Sequence, residues 1–84
     1  MRQLTITGVI NNMKDIFINK EPVELFKILK FEGIASSGAE AKDMIAGGTV
    51  LVNGVIEKQK RKKMVAGDTI ELNGEIFRLK LGAN

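Results

Sequence analysis

The spacing of apolar positions changes period once along the chain, and that change divides it. Leu25, Phe26, Ile28 and Leu29 form an apolar stripe at helical spacing, with Lys27 and Lys30 on the opposite face. Pro22 suits the first turn of such a helix, where its missing N–H would be unpaired anyway, and Gly33 is the natural stop, so a helix is predicted over residues 23–32. Glu24 stands three residues before Lys27, close enough to moderate its charge. A second helix, over residues 38–46, is announced by Ser37 and Glu40, at the spacing where each side chain reaches the other's backbone N–H. Ala41, Met44 and Ile45 form its inward face, and Gly47-Gly48 ends it. The link Gly33-Ile34-Ala35-Ser36 is too short to join anything but close neighbours.

After Gly48 the period becomes two. Val50-Leu51-Val52, Asn53-Gly54 and Val55-Ile56 spell a hairpin, because a type I′ turn needs positive φ at two successive positions. Asn73-Gly74 repeats the device between Thr69-Ile70-Glu71-Leu72 and the segment from Ile76 to Leu81, where Phe77, Leu79 and Leu81 share a face. Gly67-Asp68 supplies the turn before that hairpin. Ahead of the helices, Asp15-Ile16-Phe17-Ile18 reads as a short strand closed by Asn19-Lys20-Glu21. Residues 1–12 are read as a weakly ordered arm or an extra strand. The fold class predicted is α+β: two short packed helices followed by antiparallel hairpins, with the helices on one face of a small antiparallel sheet.

A chain of 84 residues with 44% hydrophobic content fits a single domain over residues 1–84, since so short a chain cannot divide its apolar residues between two cores. Histidine, cysteine and tyrosine are all absent, which removes the usual general bases near neutrality and the strongest nucleophile. Glu40 and Asp43 lie near one another on the second helix, but capping plus an exposed acidic face accounts for them. The ten acidic residues are scattered, so no metal site is expected, and no glycine-rich phosphate cradle is present. A non-enzymatic protein without cofactors follows. No apolar run is long enough for a membrane span and none resembles a signal peptide's core, so a cytoplasmic location without membrane contact is expected.

Charge changes the picture through its placement. The chain carries a net +3, while Lys58, Lys60, Arg61, Lys62 and Lys63 contribute +5, which leaves the remainder at −2. A concentrated patch on a slightly acidic body makes a directional field for polyanions. The run is self-repelling, yet Met64-Val65 and Gly67-Asp68 hold it within the fold, and phosphate oxygens would compensate it. Other RNA-binding signatures are missing: no two glycines are three apart, zinc ligands are absent, and Phe17, Phe26, Phe31 and Phe77 fall mostly in apolar patterns that suit the core.

In this order the features resemble the RNA-binding domain named after ribosomal protein S-four, also called the alpha-L motif, over residues 25–72. The resemblance is carried by Leu25 and Leu29; Gly33 and Ser36; Ala41 and Ile45; Gly48 and Val50; Val52-Asn53-Gly54; and Gly67-Asp68-Thr69-Ile70. It implies an RNA surface built from Ser36, Ser37, Lys42, Asn53 and the basic residues Lys58, Lys60, Arg61, Lys62 and Lys63. Many members place arginine directly after the serine equivalent to Ser36; this chain has Ser37, and Lys42 one turn onward is the candidate replacement. The string Ser36-Ser37-Gly38-Ala39-Glu40-Ala41-Lys42 resembles the small stand-alone bacterial members, which lack an attached enzyme. Elsewhere the module is joined to pseudouridine synthases, tyrosyl-tRNA synthetases and ribosome-associated factors, which implies structured RNA, ribosomal or transfer, with the ribosome as a candidate partner. Turn geometry alone explains Asn53, and Ser37 is a cap before it is a ligand; the lysines have no such internal role. The rival reading is a protein-interaction adaptor within a larger assembly, with the basic run a solvated loop.

Overall fold

The structure, a computed structural model, describes residues 13–82; the arm or extra strand read for residues 1–12 lies outside them. The elements run β1 (Met13–Ile18), β2 (Val23–Glu24), α1 (Leu25–Phe31), α2 (Gly38–Ala46), β3 (Leu51–Val52), β4 (Val55–Ile56), β5 (Lys63–Met64), β6 (Thr69–Leu72) and β7 (Glu75–Leu81). Five strands form one sheet in the order β1-β7-β6-β3-β4, and β2 pairs with β5 in a separate two-stranded ribbon. Both hairpin tips carry the expected geometry, with φ of 52° at Asn53 and at Asn73 and positive φ at the glycine that follows each.

Two details depart from the sequence reading. The first helix begins at Leu25, not at residue 23, because Val23 and Glu24 are extended and pair antiparallel with Met64 and Lys63. Pro22 therefore precedes a strand. The second concerns the sheet, which is antiparallel from β7 through β4 but takes β1 on its outer edge in parallel, Ile16 beside Leu79 and Phe17 beside Lys80. No short hairpin ties β1 to a neighbour; the chain makes a long crossover through both helices before β7 forms, and such a crossover is what a parallel pair needs.

Period-two alternation turns Ile16, Ile18, Val52, Ile70, Leu72, Phe77 and Leu79 to the helical side. There they meet Leu25, Ile28 and Leu29 of α1, Ala41 and Ile45 of α2, and Met64 of β5 in one hydrophobic cluster. Leu81, at the end of the Phe77 face, remains more than half exposed. The expectation that the phenylalanines are core holds for Phe26 and Phe77 only. Phe17 is 45% and Phe31 66% exposed. In β1 the flanking Ile16 and Ile18 take the inward positions, so Phe17 must point away; Phe31 falls off the stripe that Leu25, Ile28 and Leu29 define. No helix among the described residues is long and apolar enough to cross a membrane.

Candidate nucleic-acid interface

The start of α1 lacks a side-chain cap: Glu24 occupies the N-cap position and makes no such bond. Its first amides are satisfied from a distance instead. Leu25 N–H donates to the Lys62 carbonyl at 2.9 Å and Phe26 N–H to the Lys60 carbonyl at 3.1 Å. Backbone donors left unpaired at a buried helix end would be costly, so these bonds bind the basic loop between β4 and β5 to the helix. The loop is braced internally as well, by Lys62 N–H donating to the Gln59 carbonyl and Gln59 N–H to the Glu57 carboxylate. The positive run is thus a fixed feature of the surface.

Around Phe26 three elements converge. The Lys42 ammonium from α2 lies 4.6 Å from the ring centroid, the Arg61 guanidinium from the loop 5.1 Å and the Lys27 ammonium 6.0 Å. Each is within the reach of a cation–π attraction, by which the ring's negative face draws positive charge. The first residue of α2 also packs here, since a Cβ at Gly38 would lie 3.7 Å from the Phe26 ring. Glu24 organises the same corner: its carboxylate takes Arg61 Nη1 at 3.0 Å and Lys27 Nζ at 3.6 Å, and only 22% of its side chain is exposed. Arg61 keeps 60% of its side chain exposed, so one end of the guanidinium is held while the remaining N–H donors face solvent.

The structure brings some of the residues named from sequence together and separates others. Ser37 caps α2, its hydroxyl accepting from Glu40 N–H at 3.1 Å. The return bond differs from the expected box, because the Glu40 carboxylate accepts from Ser36 N–H and not from Ser37. Hydrogen bonds from the Ser36 backbone, and then from its side chain, hold the Glu40 carboxyl below the ordinary carboxylate range against a small opposing effect of burial. Ser36 and Ser37 are both exposed. With Lys42, Phe26 and Arg61 they flank the helix junction.

Asn53 is occupied elsewhere. Its amide donates to Asp68 Oδ1 at 3.1 Å and accepts from Thr69 N–H at 3.0 Å, while Asp68 Oδ2 accepts from Val65 N–H, so its visible role is to tie one hairpin tip to the start of β6. The basic run is divided as well. The stem of Lys58 lies beside Gly48 at the far end of α2, where a Cβ would come 3.5 Å from the lysine Cε. Lys60 is exposed and Lys62 half-buried, whereas Lys63 pairs in β5 with Glu24 and lines a groove between α1 and β1. None of these four lysines has an ion-pair partner among the described residues.

Phe26 and Glu24 were not named as site residues from sequence. Phe26 sits at the margin of the α1 stripe and is buried, and no sequence signal places Lys42 and Arg61 over its ring. No group of three or more His, Cys, Asp or Glu side chains converges as a metal site among the described residues.

Two short helices on one face of a small sheet, with a cation-lined aromatic at the helix junction, define an α+β domain of the alpha-L class. The S4 domain family matches residues 16–80, and the chain belongs to that family. It is 48% identical over 52 residues to the protein YbcJ of Escherichia coli (strain K12), covering 61% of this chain and 74% of that one. The same figures hold for YbcJ of Shigella flexneri. The solution structure of E. coli YbcJ, described as revealing an alpha-L motif involved in RNA binding, superposes with a TM-score of 0.63 at 44% identity, over 82% of this chain and 89% of that one.

Proposed function

We propose that this chain is a non-catalytic cytoplasmic RNA-binding protein, that its target is structured RNA, ribosomal or transfer, and that the ribosome is a partner. The observation that carries the reading is the meeting of Lys42, Arg61 and Lys27 on Phe26 from three different elements. Glu24 offsets only part of this charge; a polyanion laid across the corner compensates the rest and releases counterions. Arg61, pre-oriented by Glu24 and the ring, presents its free N–H groups to a phosphate, whose oxygens a guanidinium fork can take in pairs. Lys60 and Lys62 extend the positive strip along the loop, and Ser36 and Ser37 border it at the start of α2. The RNA-binding description of the similar E. coli structure supports the same reading.

The test replaces Lys60, Arg61, Lys62 and Lys63 together with glutamine. Glutamine keeps length and hydrogen bonding, so the variant isolates charge. Most RNA affinity should disappear while the fold persists, and if all four touch phosphates the slope of log affinity against log salt should flatten by about 3 units on single-stranded RNA, at ~0.7 per contact. Lys14, paired with Glu75 at 3.2 Å on the sheet, serves as control. A quadruple variant that binds a broad panel of cellular RNAs as well as the wild type at low salt would return the run to a solvated loop and favour the adaptor reading.

A further inference from the structure

Beside β2, a groove of about 860 Å³ opens between α1 and β1, the edge strand of the five-stranded sheet. Among its walls are Phe31, Phe17, Pro22 and three lysines, Lys20, Lys27 and Lys63. Phe31 is the most telling, because 66% of it is exposed at the last turn of α1 and a cation, Lys30, lies 5.4 Å from its ring. Two carboxylates also line the groove. Glu24 is already engaged by Arg61 and Lys27, which leaves Lys20 and Lys63 facing the single acid Glu32.

We propose that this groove receives an unpaired base of the bound RNA, stacked on Phe31, with Lys20 and Lys63 toward the phosphates on either side. The inference rests on the reading of the Phe26 corner as an RNA surface and extends it, since the same basic run supplies both sites: Arg61 to the ring of Phe26 and Lys63 to the groove. A backbone crossing the loop from Arg61 to Lys63 arrives at the groove's mouth. An exposed ring flanked by ammonium groups suits a base better than an apolar peptide, because every base offers a π-face and each is joined to a phosphate. The target class is therefore structured RNA that carries a bulge, loop or single-stranded junction, and not a continuous duplex.

Two RNAs with the same stem distinguish this from the reading beneath it, one fully paired and one with an unpaired segment carrying 2-aminopurine at each position in turn. Wild-type protein should bind the second more tightly and quench the probe at one position by stacking. Phe31→Leu should lose about tenfold in affinity for the unpaired RNA, lose the quenching and leave duplex binding unchanged. Arg61→Gln should weaken both RNAs alike. Unchanged probe emission on wild-type binding, or a Phe31→Leu variant that binds the unpaired RNA as wild type does, overturns the groove proposal and leaves the Phe26 corner standing. Arg61→Gln without effect on either RNA would remove the reading on which both rest. Phe31 is largely exposed, so its replacement leaves the core intact, and a melting curve for Phe31→Leu verifies this.

Discussion

The two helices begin in opposite ways. At α2 the cap is local: Ser37 accepts from Glu40 N–H, and Glu40 reaches back to Ser36 N–H, so all the partners lie within five consecutive residues. At α1 the capping groups are carbonyls of Lys60 and Lys62, brought to Leu25 and Phe26 by the tertiary fold. A self-capped helix start can be formed and read locally, whereas a start capped by a distant loop couples the helix to whatever the loop carries. Here the loop carries the positive charge. The stability of α1 and the placement of the loop's positive charges are therefore linked through backbone atoms, while the charges themselves sit on side chains that the fold does not use for capping.

Shortening the loop is the most severe way to test that contrast. Deletion of Gln59 and Lys60 should remove the Lys60 carbonyl from Phe26, pull the Lys62 carbonyl away from Leu25 and lower the unfolding free energy by about 3 kcal/mol, since two amides at a buried helix end lose their partners. Chemical denaturation measures it. The quadruple glutamine variant keeps the loop backbone and should lose about 1 kcal/mol or less in the same measurement, chiefly through the Arg61–Glu24 ion pair. A deletion no more harmful than the charge replacement would break the comparison.

At α2 the expected loss is smaller. Ser37→Ala removes one local bond and should cost about 1 kcal/mol, with RNA affinity well below the melting temperature almost unchanged. A large loss of affinity in a fully folded variant would mean that Ser37 contacts RNA directly.

The smallest effect belongs to Glu40 and depends on pH. Its carboxyl is held below the ordinary range in the folded state by the Ser36 hydrogen bonds, so the unfolded chain takes up the proton first as acid is added. The stabilisation is complete above the ordinary carboxylate pKa and is lost as the pH falls through the lowered folded value. Melting temperatures of the wild type and Glu40→Gln should therefore differ at neutral pH and converge on acidification. A gap that stays constant with pH would show that the ionised carboxylate adds nothing to the start of α2.

What was legible in the residues was whatever depends on near neighbours. Helical spacing located Leu25, Leu29, Ala41 and Ile45, and Asn53-Gly54 and Asn73-Gly74 announced both hairpin tips, because turn geometry and side-chain periodicity are properties of a few consecutive residues. The basic run was visible by simple charge counting. The extension of α1 back to residue 23 was misjudged for the complementary reason: Val23 and Glu24 are claimed by β5, about forty residues away, and pairing across the fold outweighs the local preference that Pro22 suggests. The same holds for β1, whose parallel partner β7 is the last strand described.

The sequence by itself determined two helices, two hairpins, a single concentrated patch of charge and the absence of histidine, cysteine and tyrosine, since composition and short-range periodicity require no knowledge of packing. Only the tertiary structure decided how that patch is divided. Arg61 meets Glu24 across 37 positions and lies over Phe26 beside Lys42, while Lys63, two residues further on, lines the groove between α1 and β1. Such divisions come from the way the loop backbone is hydrogen-bonded to the start of α1 and from the strand pairing that follows, and burial of Met64 fixes the point at which the chain turns inward.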